Sequence, residues 1–127
     1  MSVSAIALVL GVGSLLLAVV HAVGGGRAVA QPMLAASFDV VARDTMHVVW
    51  HGVTAQLALA GIGLVAAGLA PTAATDALVR AVATLYLAYA AIFVAVALRS
   101  RRRRALLELG QWIAFLPLGV AGWGATL

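Results

Sequence analysis

Four apolar stretches, each about as long as a membrane-spanning helix, limit what this chain can fold into. Hydrophobic residues make up 65% of its 127 residues and charged residues only 9%, a more apolar composition than that of typical soluble domains. A helix needs about 20 mostly apolar residues to cross the roughly 30 Å hydrocarbon layer of a bilayer. The sequence therefore predicts an all-α fold, a transmembrane four-helix bundle that forms a single domain over residues 1–127.

The breaks between the apolar stretches predict where the helices begin and end. The glycine run at 24–26 is expected to stop the first helix, because glycine is unfavourable inside helices. Pro71 follows the second helix, Thr75 suits the N-cap of the third, and Pro117 predicts a kink in the fourth. The predicted helices cover about residues 3–23, 44–69, 76–98 and 105–124.

The first segment also resembles a secretory signal, because Ala28-Val29-Ala30 has the small-residue spacing of a cleavage site. Its first residues carry no positive charge, however, and its apolar run is longer than a typical signal core. We interpret the segment as a helix of the mature protein.

The first loop, residues 24–43, is long enough to contain structure of its own. Pro32 suits the first position of a helix, and the apolar residues that follow it fall on one side. This pattern predicts a short interfacial or re-entrant helix. Alternatively, the second helix begins early, with Ser37 as its N-cap, and extends a few turns into the cytoplasm.

Arginine distribution predicts the orientation, because positive charge in short loops stays on the cytoplasmic side. Arg99 and the run at 101–104 place the loop between helices 3 and 4 inside, and Arg27 and Arg43 then also fall inside. Seven of the eight arginines lie on that side, and only Arg80 lies outside. We predict a multi-pass protein of the cell inner membrane with both termini outside and loops 1 and 3 cytoplasmic.

Polar side chains of three predicted helices are expected at this cytoplasmic end. Asp44, His47 and His51 lie three and four residues apart, within an arc of about 60° on one helix face. Ionisable groups inside a membrane are costly and usually have a partner or a function. The predicted ligand-binding or polar cluster consists of Asp44, His47, His51, Glu108, Gln111 and Arg99, with His21 at the same depth.

Several interpretations of this cluster remain open. Imidazole is the commonest metal ligand, so His21, His47 and His51 are candidate ligands of a divalent metal or a haem. The same groups suit proton-coupled transport, although the outer half offers few polar residues for a continuous path. In a purely structural interpretation, these side chains only satisfy one another at the headgroups. No cysteine is present, which excludes disulfides and thiolate ligands.

The run Arg101, Arg102, Arg103 and Arg104 is interpreted as a contact with anionic lipid headgroups of the bilayer. A short loop between two spans explains such a run better than nucleic-acid binding does. Small residues throughout the spans allow close helix contacts, within one chain or between subunits. We therefore expect a homo-oligomer or a subunit of a larger membrane complex, and no nucleic-acid partner.

A loose motif occupies about a quarter of the chain, from His21 to Thr54. It comprises the histidine, a glycine-rich turn, an arginine, Pro32-Met33-Leu34, then Arg43 and Trp50-His51 followed by Thr54. In this motif the chain resembles a group of small four-span bacterial membrane proteins with a Gly-rich, Pro-Leu and Trp-His pattern. The resemblance implies the fold and no particular chemistry. Small multidrug transporters are not similar, because they carry a carboxylate in their first helix.

No hydrolase, transferase or kinase motif is present in the sequence. The prediction from sequence is an accessory or structural subunit, or a small-ligand-binding membrane protein, and not an enzyme. The first alternative is a haem- or metal-binding redox component that uses the three histidines, and the second is a proton-coupled transporter.

Overall fold

The computed structural model describes residues 2–127 and is helical throughout, without a strand in that range. Three helices are long and apolar enough to cross a membrane: α1, Val3–Ala35; α2, Val40–Leu69; and α3, Thr75–Arg99. A short helix α4, Ala105–Glu108, and a 14-residue helix α5, Trp112–Ala125, follow them. The predicted all-α fold is therefore confirmed.

The sequence had predicted that the glycine run at 24–26 ends the first helix, but α1 continues through it. The helix is α-helical over Val3–Val19, π-helical over Val20–Ala30 and α-helical again over Gln31–Ala35. The three glycines keep negative φ angles, as helical residues do. A glycine costs a helix only about 1 kcal/mol relative to alanine, and contact with α2 offsets that cost.

The first loop is shorter than predicted, because both flanking helices extend into it. Pro32 belongs to α1, so no separate interfacial or re-entrant helix forms. The second helix does begin early, but its N-cap is Asp39 and not Ser37. The Asp39 carboxylate accepts a hydrogen bond from the backbone N–H of Ala42 at 3.0 Å, which satisfies one of the free donors of the first turn.

Helices α1 and α2 form an antiparallel hairpin with very close backbones. A Cβ added to Gly11 would lie 2.8 Å from the backbone nitrogen of Val65, and one on Gly61 would lie 3.0 Å from the carbonyl oxygen of Gly11. Further along, a Cβ on Gly68 would lie 2.9 Å from the Ser4 carbonyl oxygen. Small residues permit this approach, which maximises dispersion contacts between helices.

The second closely packed pair consists of α3 and α5. A Cβ on Gly119 would lie 3.0 Å from the carbonyl oxygen of Ala83, and one on Gly122 would lie 2.7 Å from the Ala83 side chain. Phe115 packs against Tyr86 and Tyr89, with ring centroids 5.5 and 5.2 Å away. This pair also contacts α1, because Gly122 lies beside Leu10.

Two predicted details at the helix ends differ from the structure. The N-cap of α3 is Ala74, and the Thr75 hydroxyl instead accepts a hydrogen bond from the backbone of Thr72 at 2.8 Å. The predicted fourth helix is interrupted at residues 109–111, so Glu108 and Gln111 do not share one helix. The α5 helix does continue through Pro117.

Candidate functional site

The hairpin end formed by the π-helical segment of α1 and the first half of α2 carries several polar and aromatic contacts. His21 lies flat against Trp50, with ring centroids 3.9 Å apart and an angle of 19° between the planes. Its Nε2 atom lies 3.3 Å from the Trp50 carbonyl oxygen. A carbonyl only accepts hydrogen bonds, so this contact requires the hydrogen of the imidazole on Nε2.

Two neighbours complete this contact around Trp50. The Thr54 hydroxyl donates to the same Trp50 carbonyl oxygen at 3.2 Å. Gly25, four residues after His21 on α1, also lies close to Trp50, because an added Cβ would be 2.9 Å from the indole ring. Residues from both ends of the sequence motif, His21 and Thr54, therefore hold one tryptophan in place.

His47 and His51 form a second pair, one helical turn apart on α2. Their Nε2 atoms are 3.0 Å apart, and their ring centroids are 4.7 Å apart with an angle of 49° between the planes. Their i,i+4 spacing places both imidazoles on one face of α2. His51 is exposed and His47 is half-buried.

A groove of about 350 Å³ lies between the π-helical segment and α2. This volume falls within the range of small-ligand sites, about 300–1,000 Å³. Both sides combine apolar groups with a few polar ones. The lining residues are Ala22, Val23, Gly26, Arg27, Ala30, Gln31 and Leu34 from α1, with His47, Trp50 and His51 from α2.

The other members of the predicted cluster do not join this groove. Asp44 is exposed and its carboxylate lies 3.6 Å from the Arg43 guanidinium. Glu108 forms an ion pair with Arg102 at 2.6 Å. Arg99 and Gln111 are both exposed, at the end of α3 and just before α5. The polar groups of the three helices thus remain separate.

The three histidines also separate into two sites. His21 is directed at Trp50, and the part of the chain that the structure describes contains no group of three or more His, Asp or Glu side chains placed to hold one ion. A haem with two axial histidines does not fit this arrangement, because His47 and His51 approach from the same side of one helix and His21 is engaged elsewhere. Two axial histidines must approach the iron from opposite faces of the haem.

Sequence reasoning overlooked Arg27, Gly25 and the role of Trp50 at this site. In the sequence, Arg27 indicated orientation and the glycines indicated a helix stop, and both occurred in the loose motif without an assigned role. The available signal was that motif, from His21 to Thr54, several of whose residues lie around this end of the hairpin. The π-helical segment itself had no sequence signal, because i→i+5 bonding has no periodicity that side chains reveal in eleven residues.

Polar residues in the middle of the helices form hydrogen-bonded pairs between helices. Ser14 donates to the Leu10 carbonyl oxygen at 2.7 Å, and the Tyr86 hydroxyl bonds to the same Ser14 hydroxyl. Tyr89 donates to the side-chain oxygen of Gln56. Each pair satisfies groups that would otherwise be costly to bury.

No protein-family model, curated protein or solved structure matches this chain. The geometry of the hairpin therefore carries the functional argument.

Proposed function

We propose that this chain is a multi-pass inner-membrane protein that binds a small anionic amphiphile, an anionic phospholipid, in the groove at the cytoplasmic end of the α1–α2 hairpin. The observation that carries the proposal is that one guanidinium, Arg27, and two imidazoles line the same groove as several apolar side chains. A ligand with an anionic head and an apolar tail matches both parts of that lining.

Outward-facing apolar residues support placement in a membrane. Large side chains on three helices are more than half exposed, which only a hydrocarbon environment or another protein makes favourable. Examples are Val9, Val12 and Leu16 on α1, Leu59 and Ile62 on α2, and Ile92 and Val96 on α3. In the proposed arrangement, α4 and α5 together provide the fourth crossing.

Helix length supports a groove at headgroup depth. The 30 residues of α2 extend about 45 Å at 1.5 Å per residue, some 15 Å more than the hydrocarbon layer. Counted back from Leu69, the roughly 20 residues that a helix needs to cross the hydrocarbon layer end near Trp50. His47 and the groove then lie where lipid phosphates lie, on the arginine-rich side of the protein.

Native mass spectrometry of the detergent-purified protein, with divalent metals removed by EDTA, tests the lipid proposal. Dioctanoyl-phosphatidylglycerol is added as the probe, dioctanoyl-phosphatidylcholine as the zwitterionic comparison and glycerol phosphate as the free headgroup. We expect one phosphatidylglycerol to bind preferentially, and glycerol phosphate alone to bind weakly because it lacks the tail.

Arg27→Ala and Arg43→Ala form a matched pair for this experiment. Each removes one arginine near the hairpin end, but only Arg27 lines the groove, whereas Arg43 contacts Asp44. We expect Arg27→Ala to weaken phosphatidylglycerol binding several-fold and Arg43→Ala to leave it nearly unchanged. Equal binding of both phospholipids, or equal loss in both variants, would contradict a specific anionic site in the groove.

The exposed apolar faces also suit contact with a second copy or with a larger membrane complex, in keeping with an accessory role. Small residues such as Gly63, whose added Cβ would meet only Leu78 at 3.8 Å, leave room for close approach. The same mass spectra report the number of chains per particle. A purely monomeric protein across detergents would count against self-association.

A further inference from the structure

The geometry of His47 and His51 resembles that of two ligands of one metal ion. Their Nε2 atoms are 3.0 Å apart, whereas the ring centroids are 4.7 Å apart. The rings therefore converge through the nitrogens that can coordinate a metal. The i,i+4 spacing on a regular helix keeps both imidazoles on the same side of α2.

The nitrogen separation matches the distance between two ligands of one metal ion. Metal–imidazole bonds are about 2.0–2.1 Å long, so two ligands at a right angle have nitrogens about 2.9 Å apart, and two at the tetrahedral angle about 3.4 Å apart. The separation of 3.0 Å lies between these two values, so both nitrogens can reach one ion. Imidazole suits late first-row metal ions, among which Cu²⁺ has the highest general affinity.

We infer that His47 and His51 form a two-imidazole site for a divalent late transition metal, Cu²⁺ or Ni²⁺, whose open coordination positions face the groove. The site lies on the same groove as Arg27, so an anionic group bound there can contact the metal and the guanidinium together. This assignment adds a metal ion to the proposed ligand-binding groove. The role of the ion rests on the proposed function, whereas the binding of the ion does not.

A bridging anion also resolves the electrostatics of the site. A divalent cation on the same groove as the Arg27 guanidinium would be repelled by it. An anionic ligand bound between the two cations attracts both of them and so offsets their repulsion. The neighbouring carboxylate of Asp44 lies one turn before His47 but contacts Arg43, so the two histidines are the only ligands that we assign.

The alternative is that the two nitrogens share one hydrogen in an N–H···N bond without any metal affinity. A separation of 3.0 Å is compatible with such a bond as well. Binding of the metal alone distinguishes the two, because only the metal site predicts a stoichiometric complex with two nitrogen ligands.

The test uses lipid-free protein in detergent, purified without a histidine tag, and Cu²⁺ as the probe. We expect one Cu²⁺ per chain by titration calorimetry, with nitrogen hyperfine coupling from two imidazoles in the electron paramagnetic resonance spectrum. Cu²⁺ should bind more tightly than Ni²⁺ and Zn²⁺, as the general affinity order of these ions predicts.

His47→Ala and His51→Ala should each weaken Cu²⁺ binding by more than the roughly 10- to 100-fold that loss of an outer-shell partner costs. His21→Gln is the matched control, because it removes the third imidazole, which contacts Trp50, and should leave one Cu²⁺ bound with unchanged nitrogen coupling. Circular dichroism verifies that each variant is folded.

Unchanged Cu²⁺ affinity in the folded double variant His47→Ala/His51→Ala would overturn the metal site. Absence of stoichiometric Cu²⁺ binding by the unmodified protein would also overturn it. Because lipid binding is measured in EDTA and metal binding without lipid, failure of one proposal is observed independently of the other.

Discussion

The imidazole of His21 stacks on the indole of Trp50 at 3.9 Å and approaches the backbone carbonyl of that same residue within hydrogen-bonding distance. One side chain of α1 thus contacts both the ring and the backbone of one residue of α2. This double contact fixes the rotation of the two helices about their axes where the π-helical segment begins, and so positions Arg27 across the groove from His47.

The His21 contact has two separable parts. His21→Ala removes the stacking and the hydrogen bond, which are worth about 0.5–1.5 kcal/mol each. His21→Phe keeps an aromatic ring and should lose only the hydrogen-bond part. Thermal unfolding in detergent, followed by tryptophan fluorescence, should rank the proteins as unmodified, His21→Phe and His21→Ala in decreasing stability. His51→Ala, at an exposed position, should change stability by less than about 0.5 kcal/mol. Equal stability of all three His21 proteins would show that the contact is not stabilising.

The glycine run offers a position-specific test within three residues. Gly25→Ala places a Cβ 2.9 Å from the Trp50 ring and should destabilise the hairpin by about 1–3 kcal/mol through overpacking. Gly24→Ala and Gly26→Ala meet no atom within 4 Å and should stabilise the helix by up to about 1 kcal/mol. Chemical unfolding in mixed detergent measures all three. The close packing of Gly25 would be contradicted if its substitution behaved like the other two.

The Ser14–Tyr86 hydrogen bond predicts a coupling between α1 and α3. A double-mutant cycle of Ser14→Ala and Tyr86→Phe should give a coupling energy of about 0.6 kcal/mol and no more than about 1.7 kcal/mol. Gln56 with Tyr86 provides the control cycle, because Gln56 bonds to Tyr89 instead. If the control cycle gave an equally large coupling energy, general helix packing and not the Ser14–Tyr86 hydrogen bond would account for it.

The absence of cysteine from the sequence makes the proposed orientation directly measurable. A cysteine at Ser37 or Ser100 should react with a membrane-impermeant maleimide only after the membrane is opened. A cysteine at Thr72, in the loop before α3, should react in intact cells, because that loop lies outside in the proposed arrangement. The reverse labelling pattern would invert the orientation and place the groove on the outer side.

The candidate site was only partly predictable from sequence. The stripe of His47 and His51 follows from helical spacing alone, and the structure pairs these two residues. The sequence predicted that Glu108 and Gln111 share one helix, whereas α4 ends at Glu108 and the chain is not α-helical again until Trp112. Gly110 within the break is only a weak local signal, because one glycine costs a helix about 1 kcal/mol.

The sequence by itself determined the helical class, the apolar spans and the arginine asymmetry, because these depend on composition and on the cost of exposing polar backbone in lipid. Only the tertiary structure decided that α1 continues through Gly24–Gly26 and that Trp50 lies against Gly25 and His21. The intrinsic cost of glycine in a helix is about 1 kcal/mol, small enough that packing between two helices outweighs it. The groove exists because of that contact, and no single segment of the chain encodes it.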